Sequence, residues 1–369
     1  MSLKGNAAVL TKPFNFEILE YPVPKVEFGG ILIEVSASAI CGSDLHAWRG
    51  ERKMKGGIIL GHELTGRIHT LGAGVSTDYL GKSLSIGDRV IFTYFSPCHR
   101  CYQCIRGKFT DCPSNFNLRK TIEEYPYCTG GFADYYYIRP GAFVFKVESH
   151  LTDDAITSIN CALATVMSAI ERSNMNTGDT VVIQGVGALG LYATLYARER
   201  GAGTIITIDG QENRLELSKK CGADHTININ NIKDEFERIK IVKELSGSSN
   251  GADVVIEVAG VPQVINEGLE MLRLGGTFVE VGNIIPESNV NVDFNRILHG
   301  IKYVVPASFY EPWLLPIGVK LIERTKDKYP IANIISHNFK LNEINDAFNF
   351  SEWSRDGGTD VIRSVVMPK

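Results

Sequence analysis

The segment Thr180-Val181-Val182-Ile183-Gln184-Gly185-Val186-Gly187-Ala188-Leu189-Gly190 constrains this chain most: a short strand-like run leads directly into G-x-G-x-x-G and then into a helical pattern. In that setting Gly185 permits a tight turn, Gly187 lets the backbone approach a ligand, and Gly190 lets the helix pack close to the strand. Further candidate strands follow at Thr204–Asp209, His225–Ile229, Asp253–Val258, Gly276–Val281 and Lys302–Ala307, with helical patterns between them. Buried strands alternating with helices predict an α/β fold with a doubly wound parallel sheet.

The turn also predicts an anion. Val186, Ala188 and Leu189 complete a loop whose unpaired N–H groups and helix dipole suit a pyrophosphate. An acid is expected about 20 residues on, at the end of the second strand, to accept hydrogen bonds from ribose hydroxyls, and Asp209 stands there. Its carboxylate would repel a ribose phosphate, which favours NAD over NADP, while Arg214 nearby is of the type that can accommodate one. By itself G-x-G-x-x-G is only a glycine-rich turn in a chain with 36 glycines; strand, helix and acid together carry the reading.

At 369 residues the chain has room for two domains. Residues 1–150 differ in texture from the βαβ region, with short β-like runs such as Gly29–Ile40 and Arg89–Phe95 broken by Gly, Pro and Asp. The expected division is 1–155, completed by 302–369, and 156–301. A formal charge of -4, with no clustered Lys/Arg stripe, argues against nucleic acid or an anionic membrane and for a small-molecule partner. Charges scattered through the first 30 residues leave no signal-peptide core, and no apolar run approaches the ~20 residues of a membrane span, so a cytoplasmic protein is expected. Eight cysteines in such a chain suggest metal ligation rather than disulfides.

Cys98-x-x-Cys101-x-x-Cys104-x7-Cys112 is the strongest metal pattern. Four thiolates at this spacing suit a closed structural zinc site; the fourth spacing and the absence of a proline after Cys112 weigh against an iron–sulfur cluster. A second set is dispersed: Cys41-Gly42-Ser43-Asp44-Leu45-His46, Gly61-His62-Glu63 and Cys161. Taken singly, each of these more often has a structural role, and spacing alone does not join them.

Together with Gly61-His62-Glu63-Leu64-Thr65-Gly66, the C-G-S-D-x-H run, Gly87-Asp88-Arg89-Val90, Gly130-Gly131-Phe132-Ala133 and Arg363-Ser364-Val365-Val366, these segments resemble the zinc-containing medium-chain alcohol dehydrogenases along nearly the whole chain. The resemblance implies a GroES-like, mainly β catalytic domain beside a Rossmann domain, and two zincs per chain. It assigns the catalytic zinc to Cys41, His62 and Cys161, with Asp44 behind His62 and Glu63 behind the metal. Sugar-alcohol members often carry Glu where Cys161 stands. It gives Ser43 and His46 a proton relay, places Thr165 at the nicotinamide, Gly282 and Asn283 as backbone contacts to its carboxamide, and Arg363 at the pyrophosphate. The implied reaction is hydride transfer between NAD and a primary or secondary alcohol or polyol. Threonine-type and hydroxyphosphonate-type dehydrogenases of the same superfamily, and a non-catalytic zinc-stabilised binding protein, are the alternatives. Family members form dimers or tetramers, and Asn289–Leu298 is a candidate sheet edge for such pairing. Trp48 and Tyr94, flanking the ligand segments, are candidate pocket walls.

Overall fold

In the computed structural model, which describes residues 3–51, 56–116, 121–247, 250–285, 289–353 and 362–368, Val182, Ile206 and Val255 are wholly buried. Strands that are apolar at successive positions must be covered on both faces, and parallel sheets provide that. The strands run His225–Asn228, Thr204–Asp209, Thr180–Gln184, Ala252–Glu257, Leu272–Glu280, Tyr303–Pro306 across the sheet, and each neighbouring pair is parallel. The order grows outward from Thr180–Gln184 in both directions and reverses beside Ala252–Glu257, which is the doubly wound arrangement read from the sequence. Val182, Ile206, Val255 and Phe278 share a core with Leu269 and Met271. Each buried side chain of this kind contributes about 1.5–3 kcal/mol.

The chain divides into two compact units: Met1–Cys161 with Glu311–Thr325 and Ile331–Lys369, and Ala162–Tyr310 with Lys326–Pro330. The first therefore runs through Cys161 instead of stopping at residue 155. The second keeps residues up to Tyr310, because Tyr303–Pro306 pairs with Leu272–Glu280 and closes the parallel sheet. The candidate edge Asn289–Leu298 is not a strand. Asp293 accepts the Asn295 N–H at 2.9 Å and caps a helix, Phe294–His299, so the sheet's edge is Tyr303–Pro306.

The first unit is mainly β. Its seven-stranded sheet runs His337–Lys340, Ser364–Met367, Ile31–Ala39, Glu63–Leu71, Arg89–Phe92, Val144–Lys146, with Tyr135–Ile138 also paired to Ile31–Ala39. A second sheet sets Lys4–Lys12 between Asn15–Pro22 and Ile58–Ile59. Ile31, Ile33 and Val35 alternate into one core with Leu64, Ile68, Val90 and Phe92. A register shift between Val35 and Ala37 then turns Ala37 and Ala39 toward Ile335 and Val365. The expected strand Arg89–Phe95 stops at Phe92, because the Thr93 hydroxyl turns back onto the Phe95 carbonyl at 2.8 Å.

Candidate active site

Cys41 precedes the helix Gly42–Trp48, His62 precedes the strand Glu63–Leu71, and Cys161 lies in a single wide helical turn, Ile159–Leu163. The fold brings these segments together, so that ligand atoms of Cys41, His62, Glu63 and Cys161 lie within 4.8 Å of one another. Cys161 Sγ is 3.4 Å from His62 Nε2. Behind the imidazole, Asp44 Oδ1 stands 3.5 Å from Nδ1, and its other oxygen accepts the Cys41 N–H at 3.1 Å. One buried carboxylate thus orients two of the candidate ligands.

Sequence reasoning missed what aims Cys161. Its neighbour Asn160 donates its side-chain amide to the carbonyls of His62 and Leu64, both at 3.3 Å, and Thr157 donates to the Ala37 and Glu63 carbonyls at 3.0 and 3.2 Å. Short polar side chains on a helix give no local signal that they reach another strand.

The cluster shares its protons unevenly. A hydrogen bond from Cys161 holds the Cys41 thiol well below the usual range, and the same bond with burial pushes Cys161 well above it. Burial disfavours the imidazolium of His62, but the charges of Asp44 and Cys41 outweigh it and push the ring up to about 10. Two thiols, an imidazole and a carboxyl at this separation exchange protons for a cation, and a Cys2His donor set suits zinc.

Glu63 and Arg363 form the outer wall. The guanidinium reaches both Glu63 oxygens, at 2.7 and 3.0 Å, and donates to Ser158 Oγ at 3.2 Å. The resemblance assigned Arg363 to a pyrophosphate; the structure shows it bonded to Glu63 and Ser158. Tyr94 meets the His62 ring at 5.0 Å, edge to face. Trp48 is no pocket wall: it is 3% exposed and packs among Phe14 and Phe348.

Ser43 and His46, three residues apart, share a face of the helix Gly42–Trp48. His46 Nδ1 contacts the Glu51 carboxylate and lies 3.2 Å from Arg49, which is itself held by Glu352. Glu51 is a partner the sequence reading did not include.

The four remaining cysteines also converge. Cys112 Sγ is 3.6 Å from Cys98 Sγ and 3.9 Å from Cys101 Sγ. A tetrahedron with zinc–sulfur bonds of about 2.3 Å has edges of about 3.8 Å, so this set fits zinc. Backbone N–H groups of Arg100 and Cys101 help pull Cys98 down to about 6, which favours thiolate, while burial and its sulfur neighbours push Cys104 up to about 12. The His99 ring packs on Phe109 and Phe143 and bonds the Gly141 carbonyl at 2.8 Å, tying the loop to its unit.

In the second unit, Gly185 has φ +93°, and a Cβ there would lie 2.7 Å from the Ala259 backbone. At Gly190 a Cβ would lie 2.0 Å from the Gly185 carbonyl, so the helix Ala188–Glu199 can cross this close only on glycine. A Cβ on Gly187 would point into open space at the helix N-terminus, where a pyrophosphate fits. Asp209 accepts the Val186 N–H at 2.6 Å and the Gln211 N–H at 2.9 Å, so it also shapes the turn. Thr165 is buried in the helix Ala164–Arg172, and Arg214 is half-buried on the helix Glu212–Lys220. In the segment expected to offer backbone contacts to a carboxamide, the Gly282 and Asn283 N–H groups donate to Glu257 and Glu280, at 3.1 and 2.9 Å.

Residues 188–322 match the zinc-binding dehydrogenase family, and residues 28–149 match the alcohol dehydrogenase GroES-like domain. The chain is 33% identical over 352 residues to 5-exo-hydroxycamphor dehydrogenase of Pseudomonas putida, spanning 93% of this chain and 94% of that protein. It is 32% identical over 353 residues to erythritol/L-threitol dehydrogenase of Mycolicibacterium smegmatis, spanning 92% of each. A zinc-binding dehydrogenase candidate from Sinorhizobium meliloti, solved with NADP bound, superimposes with a TM-score of 0.82 at 25% identity, spanning 100% of both chains.

Proposed function

This chain belongs to the zinc-containing medium-chain alcohol dehydrogenases, an oxidoreductase family, and on that premise we propose that it moves a hydride between NAD and the carbinol carbon of a primary or secondary alcohol or polyol. The carrying observation is the convergence of Cys41, His62 and Cys161 from separate segments. Zinc held by these three would act as a Lewis acid on the alcohol oxygen, and nicotinamide would accept the hydride.

The chain's own residues handle the proton and the charge. Ser43 Oγ takes the alcohol proton toward His46. With Nδ1 engaged by Glu51, the His46 ring receives it at Nε2. Asp44 holds the His62 tautomer, and Arg363 balances the Glu63 carboxylate. Asp209 binds the adenosine ribose, which supports NAD over NADP, with Arg214 beside it on the following helix. Cys98, Cys101, Cys104 and Cys112 hold a second, structural zinc. None of the eight cysteines is in a disulfide, which suits a reducing cytoplasm. A homodimer or homotetramer is supported by the sheet edge at Tyr303–Pro306, where Phe294, Leu298, Ile301 and Tyr303 are exposed.

Metal analysis of wild type and Cys161→Ser, with reduction of NAD and of NADP followed across alcohols, diols, polyols and L-threonine, tests this. The expected result is about two zincs per chain falling to about one, with turnover lost. A single zinc in wild type and no turnover on any substrate would return the chain to the binding-protein alternative.

A further inference from the structure

Glu257 and Glu280 end adjacent parallel strands in direct register, at the carboxyl edge of the sheet. Glu257 is wholly buried, and one Glu280 oxygen is buried with no hydrogen-bond partner. Their other bonds go to turns. Glu257 accepts the Gly260 N–H at 2.7 Å and the Gly282 N–H at 3.1 Å, and Glu280 accepts the Asn283 N–H at 2.9 Å. The first of these turns also packs on the glycine loop, through Ala259 against Gly185.

We infer that Glu257 and Glu280 share one proton and act as a positioning pair, holding the Gly260 and Gly282–Asn283 turns in the form that binds the nicotinamide half of the dinucleotide. This rests on the dinucleotide reading above. In a doubly wound sheet the ligand lies outside the carboxyl ends of the strands at the point where the order reverses, here between Thr180–Gln184 and Ala252–Glu257. Asp209 lies on the Thr204–Asp209 side of that point, so the half of the ligand away from the adenosine ribose falls on the side of Glu257 and Glu280.

Two carboxylates side by side in register, one wholly buried and the other partly so, cannot both ionise without repulsion. Burial, then the charge and hydrogen bond of Glu280, push Glu257 up to about 8. Neighbouring elements supply no compensating cation among the described residues. Neutral Gln184 faces Glu257 in register from one side, Pro306 faces Glu280 from the other, and Glu267 on the helix Val264–Met271 is bonded to Arg238. With one proton the pair can join its two strands while its remaining oxygens accept the turn N–H groups. Loss of that proton sets two anions against each other and loosens both turns.

The test is the dissociation constant of NADH, with ADP-ribose as the ligand lacking nicotinamide, measured by fluorescence or calorimetry from about pH 6.5 to about pH 9.5, a window spanning the raised carboxyl. The expected result for wild type is NADH binding that weakens roughly tenfold across the range while ADP-ribose binding stays level. In Glu280→Gln, a neutral amide donor replaces the shared proton and the NADH profile flattens, with affinity near pH 7 kept within about threefold. Glu257→Gln is the second variant and flattens it likewise. An unchanged alkaline loss in both variants, or equal loss for ADP-ribose, overturns the positioning role and leaves the dinucleotide reading intact. No NADH binding by wild type at any pH overturns both.

Discussion

Glu63 and Arg363 form a buried ion pair, Nη1 to Oε2 at 2.7 Å, with side chains 0% and 4% exposed. Glu63 opens a strand immediately after a candidate zinc ligand, and Arg363 stands just before the strand Ser364–Met367. The pair therefore joins the C-terminal segment to the candidate metal site by charge. Removing one partner of such a pair costs about 3–5 kcal/mol, because the other is left buried and unbalanced. Arg363→Ala is expected to lose stability on that scale in urea denaturation and to bind catalytic zinc more weakly. Glu63→Gln/Arg363→Met should recover part of the stability; a double variant no better than Arg363→Ala would show that the pair is not coupled.

The cysteine loop should behave as a separate metal-dependent element. Cys112 is wholly buried, with its sulfur 3.6 Å from that of Cys98 and 3.9 Å from that of Cys101. Cys112→Ser should release about one zinc per chain and expose the 95–116 segment to protease, while the Cys41, His62, Cys161 site keeps its metal. Retention of both metals would remove the structural assignment.

Glu51 is expected to govern the acid side of turnover. Burial pushes its carboxyl up, but the hydrogen bond with His46 and the charges of His46 and Arg49 outweigh this and hold it below the usual range. A depressed carboxyl contributes stability above its unfolded value of 4.5, lost as pH falls through the lower folded value. Conversely, the carboxylate favours the protonated ring, and alcohol oxidation needs the neutral one. Glu51→Gln should therefore shift the acid limb of kcat/KM to lower pH with little change in the alkaline plateau. A profile that does not move would separate His46 from proton transfer.

How much was legible follows from whether a residue's partner lies near it in sequence. The inner parallel strands, such as Thr180–Gln184 and Ala252–Glu257, could be read because apolar runs between turns report burial locally, and the glycine turn because each glycine answers a backbone demand within a few residues. The four-cysteine loop is likewise local. Cys161 was joined to Cys41 and His62 only by family resemblance; what holds it there, Asn160 and Thr157 bonded to carbonyls of two strands, depends on long-range packing. Trp48 looked like a pocket wall from its place beside the ligand segment, yet its helix turns it into the core with Phe348. Glu257 and Glu280 read as ordinary polar strand ends, since nothing local tells that two strands far apart in sequence lie side by side in register.

Asp209 has two duties that can be separated. Its oxygens accept N–H groups from Val186 and Gln211, which shape the phosphate turn and the start of the next helix. Its charge is what would exclude a ribose phosphate. Asp209→Asn keeps an acceptor for one N–H and removes the charge, whereas Asp209→Gly removes both. The charge-neutral variant should lower kcat/KM for NAD by about tenfold, the worth of one hydrogen bond to a charged group, and raise it for NADP, with Arg214 available to meet the added phosphate. The glycine variant should lose activity with both cofactors and lose stability as well, because the Val186 N–H is left without its acceptor. If Asp209→Asn leaves the ratio of NAD to NADP efficiency unchanged, cofactor choice does not reside in this carboxylate, and the preference for NAD loses its support.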